Sequence, residues 1–207
     1  MFDKYKDIHL NESAYLLGSG PTIKDFSVKE HPGLYIGVND VHFLPHIKDK
    51  LNYLVTEKYF PEIELISNDV KLFCWDTCKP RRSYFGYKPH IGEMSDIYSG
   101  TTLEIWKRFN ECGSVIFHGF FLAIHLGCKK IYLVGCDCTE NRAMVTSKDK
   151  PNKPNKPNKY KKLVLGWKAI KEYTKEHHPD VEIININPVN LKDMFPSIYT
   201  ILDTSSC

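Results

Sequence analysis

Short apolar runs recur along this chain, and each ends in polar or glycine-rich positions. Residues 14–17 run into Gly18-Ser19-Gly20-Pro21-Thr22, residues 34–38 into Asn39-Asp40, and residues 51–55 into Thr56-Glu57-Lys58; residues 70–75 form a fourth run. Consecutive rather than alternating apolar positions are what a strand buried on both faces needs, and such strands belong to parallel sheets. The rhythm of strand, connection, strand therefore predicts an α/β domain with a mostly parallel sheet flanked by helices. Residues 22–26 predict a short helical turn before His31-Pro32-Gly33 interrupts it, and Pro61 suits the first position of a helix over residues 59–67.

The second half changes period. Residues 115–127 are apolar nearly all round, which predicts a buried helix with Gly127 at its C-terminal cap. Residues 131–134 predict another buried strand, ending in Gly135-Cys136-Asp137-Cys138. Leu163, Leu165, Trp167, Ile170 and Tyr173 give an amphipathic stripe through about His177, and residues 181–187 a last strand before Pro188. The tail 191–196 is expected to pack back on the sheet, and residues 197–207 carry no pattern.

Two stretches break the periodicity. Residues 76–100 are rich in Pro, Arg, Tyr and His and read as an irregular insertion. There Arg81, Arg82, Tyr84 and Tyr87 either grip a phosphate or sugar or form a solvated loop whose aromatics patch the core. Residues 141–162 contain the repeat Pro151-Asn-Lys-Pro-Asn-Lys-Pro-Asn-Lys159, which has nothing apolar to bury and reads as a mobile basic excursion, either a linker without a role or a lid whose lysines meet a phosphorylated ligand.

Composition narrows the classes. At 207 residues the chain fits one domain, 1–207, and 42% hydrophobic with 26% charged residues is ordinary for a globular protein. A net charge of +3 gives no ground for nucleic-acid binding, and no apolar run is long enough for a transmembrane segment. The first residues lack the apolar centre of a signal peptide, so a cytoplasmic location with reduced thiols is expected. Cys74/Cys78 and Cys136/Cys138 lack the spacing of zinc knuckles and read as small buried residues. Homo-oligomerisation stays open.

The chemistry-bearing positions collect after strands. Gly18, Ser19, Gly20, Pro21 and Thr22 form either an ordinary strand-to-loop turn or a place where backbone approaches a phosphate closely. The turn is not the dinucleotide fingerprint, because Ile23 stands where a third glycine would fall. Asn39, Asp40 and Thr56 end strands, where open α/β sheets gather ligands. Gly113 and Ser114 precede the buried helix, whose N-terminus suits an anion, although Ser114 also reads as a plain cap. Asp137, followed by Cys138, is a candidate ribose or metal contact. His118 and His125, seven apart, read as core histidines rather than a chelating pair.

Taken together, Gly18-Ser-Gly-Pro-Thr-Ile-Lys24, Val38-Asn39, Gly113-Ser114-Val115 leading to Gly135-Cys-Asp137, and Asn187-Pro188 resemble the bacterial lipooligosaccharide sialyltransferases that use CMP-sialic acid. The same blocks also resemble the 6-hydroxymethylpterin diphosphokinase-like family. The resemblance implies a single Rossmann-like domain in which residues 18–22, Asn39, Gly113 and Ser114 hold a CMP donor and residues 141–162 supply a lid. The chain departs from the sialyltransferases in three places. No histidine lies between His125 and His177, Cys138-Thr139-Glu140-Asn141 lacks the phosphate-binding tyrosines, and Ser19 replaces an asparagine.

The expected function is a nucleotide-sugar-dependent glycosyltransferase of lipopolysaccharide biosynthesis acting on a glycan or small-molecule acceptor, with no cofactor besides the donor. Its catalytic base is unassigned; Asp137, Glu57 and Tyr160 are the weak candidates. Two alternatives stand beside it: an ATP-dependent diphosphokinase acting on a pterin-like alcohol with Mg2+ at Asp137, and a nucleotide-binding module without catalysis.

Overall fold

The computed structural model describes residues 2–56, 69–74, 92–93, 114–139, 141, 143 and 159–199. Its centre is an eight-stranded sheet built from β1 (Ser13–Leu17), β2 (Leu34–Val38), β3 (Tyr53–Thr56), β4 (Lys71–Cys74), β5 (Gly92–Glu93), β6 (Lys130–Val134), β7 (Glu182–Ile186) and β8 (Ser197–Ile198). The spatial order is β5-β4-β3-β2-β1-β6-β7-β8, and every pairing is parallel. The chain begins at the centre of the sheet, builds outward one way, then returns beside β1 and builds outward the other way. The order thus reverses between β1 and β6, the topological switch point of an open α/β sheet.

Both faces are covered, which is why the strand sequences lack alternation. On one face Ala14, Leu16, Ile36, Val38, Ile131 and Leu133 lie under α1 (Val115–His125) and α2 (Lys159–His177). On the other, Tyr15, Leu17, Tyr35, Leu54 and Val134 meet Ile23, Phe26, Val41, Leu44, Ile47 and Leu51 from short turns. There Tyr15 stacks between its cross-strand neighbours Tyr35 and Tyr132, at 5.4 and 4.7 Å between ring centroids.

Helix α1 is apolar all round because it has neighbours all round. Gly119 lets it settle on β1 and β2: a Cβ there would lie 2.6 Å from Leu16 Cδ1. Its flank meets α2 through Phe117 against Trp167 and Phe121 against Tyr173, at 5.3 and 5.5 Å. Its last carbonyls accept from the N-terminal segment, His125 O from Asp7 N–H at 3.0 Å and Leu126 O from His9 N–H at 2.8 Å. Gly127, with φ +89°, closes it.

Several expectations need correction. Leu165 is not on the buried stripe: it is 60% exposed, because two residues from Trp167 is about 200° around the helix axis. Val164 packs against the core in its place. The lid-like segment does not extend to residue 162, since α2 begins at Lys159, and Ala143 is buried. Inside the 76–100 insertion, Gly92–Glu93 pairs with β4 as an edge strand. Ser197–Ile198, without sequence pattern, is held at the other edge by Asn185 N–H on Pro196 O and Asn187 N–H on Ile198 O, at 2.8 and 2.9 Å. The helix expected near Pro61, the Arg81, Arg82, Tyr84 and Tyr87 cluster, Glu57, Gly113 and the repeat through residue 158 lie outside the described residues.

Candidate functional site at the carboxyl edge

All strands end on one edge of the sheet, so the residues after β1, β2, β3, β6 and β7 share that edge. Both described α-helices lead back to strand starts, α1 into β6 and α2 into β7, so their N-termini, with Ser114 and Tyr160, also lie there. Of the sequence candidates, this edge collects residues 18–22, Asn39, Asp40, Thr56, Ser114, Asp137, Cys138 and Tyr160.

The tightest construction is the pairing of the turns after β1 and β6. Gly18 N–H donates to Val134 O at 2.8 Å and Gly20 N–H to Gly135 O at 2.7 Å. Thr22 then donates twice to Asp137, from its N–H to Oδ2 at 2.9 Å and from Oγ1 to Oδ1 at 2.5 Å. The glycines are explained by this approach. A Cβ on Gly18 would lie 2.6 Å from Gly135 O; one on Gly20 would lie 2.5 Å from both Gly135 O and Asp137 Oδ2. The amides of residues 18, 20 and 22 thus face protein acceptors. Ser19 differs: its carbonyl accepts from Ala143 N–H at 2.8 Å, while its own N–H and hydroxyl bond to none of the described residues.

Asp137 is 2% exposed, and its two oxygens are both occupied by Thr22. Burial pushes its carboxyl above the ordinary value; the hydrogen bonds from Thr22 pull it back, and the charge on Asp25 pushes it up again. A carboxylate so held fastens the two turns to each other. Among the described residues no group of three His, Cys, Asp or Glu side chains could hold a metal ion.

Besides Gly135, with φ +62°, three non-glycine residues on this edge adopt left-handed backbone: Asn39, Cys138 and Asn187, with φ +49°, +52° and +50°. Asparagine tolerates that region; cysteine does so less readily, and such conformations persist where surroundings impose them. Around Cys138 those surroundings are explicit. Asn190 Nδ2 donates to its carbonyl at 2.9 Å, its side chain packs in the cluster that holds Trp167, and burial pushes its thiol up to about 12.

Asn39 lies 3.5 Å from Thr56 through Oδ1 and Oγ1, and its carbonyl accepts from His42 Nδ1 at 2.8 Å. That bond fixes the tautomer, since a carbonyl can only accept, and leaves Nε2 as the basic nitrogen. The sequence reading passed over His42; its signal was the three-residue step from Asn39 within a one-turn helix, Asn39–Phe43. Ser114 caps α1, its Oγ accepting from Ile116 N–H at 3.5 Å. Among the described contacts it does not meet the β1 turn.

One turn into α1, His118 is 7% exposed, and burial lowers its pKa from 6.5 to about 4. It is therefore neutral at pH 7. Below pH 6.5 the unfolded chain takes up a proton that the folded chain refuses, so this stability falls as pH drops toward 4. Between pH 7 and pH 5 the loss is about 2 kcal/mol. Urea unfolding across that range is expected to show it, and His118→Phe to flatten the slope.

No family model and no curated protein sequence matches this chain. Its fold does match solved structures. The sialyltransferase CstII from Campylobacter jejuni with cytidine-5'-monophosphate superposes with a TM-score of 0.58 at 16% identity, over 85% of this chain and 80% of that one. CstII with trisaccharide acceptor and CMP gives 0.53 at 15% identity, over 84% and 80%. The MAf glycosyltransferase from Magnetospirillum magneticum AMB-1 gives 0.52 at 14% identity, over 100% of this chain but 38% of that one. The chain thus shares its fold with the sialyltransferase CstII.

Proposed function

We propose that this chain is a glycosyltransferase that binds a nucleotide sugar, of the CMP-sugar type, across the carboxyl ends of β1 and β6. The observation that carries this reading is the coincidence of the paired turns, residues 18–22 and 135–138, with the one point where the strand order reverses in a fold shared with CMP-binding sialyltransferases. In this reading Asp137 and Thr22 position the turn, and the Ser19 N–H and hydroxyl meet the donor. Ser114, at the positive end of α1, stabilises charge developing on the leaving phosphate. Asn39, whose Oδ1 accepts from Thr56 Oγ1 at 3.5 Å, offers its side-chain amide N–H groups to the nucleoside. The occupancy of Asp137 by Thr22 favours this over Mg2+-dependent diphosphate transfer.

A nucleotide panel tests it. CMP at about a hundred times its Kd is expected to stabilise the protein by about 2.7 kcal/mol, raising Tm by roughly 8 °C. ATP with Mg2+ is expected to leave Tm unchanged. A response to ATP with Mg2+ alone would overturn the reading in favour of the kinase. Slow release of free sugar from CMP-sialic acid, followed by chromatography, then separates an enzyme from a binding module.

A further inference from the structure

Helix α2 places lysines where a helix least favours them. Its first turn holds Lys159, Lys161 and Lys162 and no acid, so positive charge stands on the positive end of the macrodipole. Nothing described compensates: Lys161, Lys162 and Lys168 are exposed and pair with no acid among the described residues. Between them is Leu165, 60% exposed, four residues after Lys161 and three before Lys168, hence on the same face. Toward the other end Glu172 and Glu176 dilute the charge.

The sequence concentrates charge in the same place. Residues 148–168 hold eight lysines and one acid, so the rest of a chain of net charge +3 is negative. The location also matters. Helix α2 leads back to the start of β7, so its first residues lie at the carboxyl edge; residues 159–166 run roughly 12 Å outward from Trp167, which shares a core cluster with Cys138 beyond the end of β6. The lysines and Leu165 therefore flank the site edge rather than its opposite.

We infer that this face of α2 docks on an anionic lipid surface, with the carboxyl edge turned toward it. The apolar stripe of α2 packs on the core, so the attraction is that of exposed lysines for anionic headgroups, with Leu165 among them placed to enter the acyl boundary. A single-stranded nucleic-acid surface would stack bases on several exposed aromatics, whereas here only Tyr160, half-buried, stands among the lysines and Leu165 offers no stacking face. Such docking sets the site before acceptors carried in a membrane. No described helix is long and apolar enough to cross one.

Sedimentation with vesicles tests this without any nucleotide, so its outcome is separate from that of the donor reading. The full chain is expected to co-sediment, at roughly 0.1 M salt, with phosphatidylcholine vesicles containing phosphatidylserine and not with phosphatidylcholine alone. The triple variant Lys161→Gln/Lys162→Gln/Lys168→Gln should partition about a hundredfold less, roughly fivefold per lysine. Leu165→Gln should weaken binding further; because all four side chains are exposed, Tm serves as the folding control. Equal binding to neutral vesicles, no binding to either, or an unchanged triple variant would overturn the inference. So would lysine-dependent binding to duplex DNA tighter than to the vesicles, which would assign the face to nucleic acid.

Discussion

Gly20→Ala is expected to lose about 3 kcal/mol of stability, near 9 °C in Tm, and to abolish the response to CMP. The backbone conformation is not the obstacle, since φ is −71° and ψ 159° at this residue. The obstacle is what the new methyl meets: Gly135 O and Asp137 Oδ2 at 2.5 Å, and Asp137 Cγ at 2.7 Å. These are not flexible tips. Gly135 O holds the Gly20 amide at 2.7 Å, and the Asp137 carboxylate holds Thr22, so neither moves without releasing the other turn. Gly119→Ala is the informative control. Its Cβ meets a leucine methyl that can change rotamer, and it should cost clearly less than Gly20→Ala. Calorimetry on both, with and without CMP, checks the pair. If Gly20→Ala proved as stable as the parent and lost only CMP binding, the glycine would serve the ligand and not the packing.

That contrast marks where local reading of the sequence stops. The runs at 14–17, 34–38 and 131–134 were legible as buried strands because each strand carries its own record of two covered faces. The glycines at 18 and 20 were legible as a tight approach, but what they approach, Gly135 and Asp137, lies more than a hundred residues away and leaves no local trace. Asp137 read as a carboxylate at a strand end. Only the fold shows that Thr22 fills it. Leu165 counted toward the apolar stripe because it is apolar, yet periodicity places it opposite Trp167. β8 was invisible for another reason: two residues held by backbone hydrogen bonds need no side-chain pattern. The general resemblance of the Gly-x-Gly-Pro turn, Asn39 and the Gly-x-Asp block held at the level of fold because those blocks sit at the joints of the topology.

Trp167→Ala should cost about 4 kcal/mol, roughly 12 °C in Tm, the largest loss expected from a single side chain here. Trp167 is 1% exposed and fills the space between α1, α2 and the tail, with ring centroids 5.3 Å from Phe117 and 6.1 Å from both Phe120 and Phe195. Its removal leaves a cavity that three other aromatic rings cannot close without leaving their rotamers. Its indole also lies in the same cluster as Cys138, whose left-handed backbone ends the β6 turn, and its N–H lowers the thiol's pKa against the rise that burial causes. Trp167→Phe separates the two roles. Phenylalanine keeps most of the apolar contact and lacks the N–H, so a loss of about 1 kcal/mol in stability is expected. If the indole holds the turn that the donor meets, CMP affinity should fall by about fivefold in Trp167→Phe, well beyond what so small a stability loss does to a protein that stays folded. Unchanged CMP affinity in a Trp167→Phe variant of reduced stability would confine the tryptophan to the core. A drop would mean that the helix carrying the exposed lysines also sets the floor of the site.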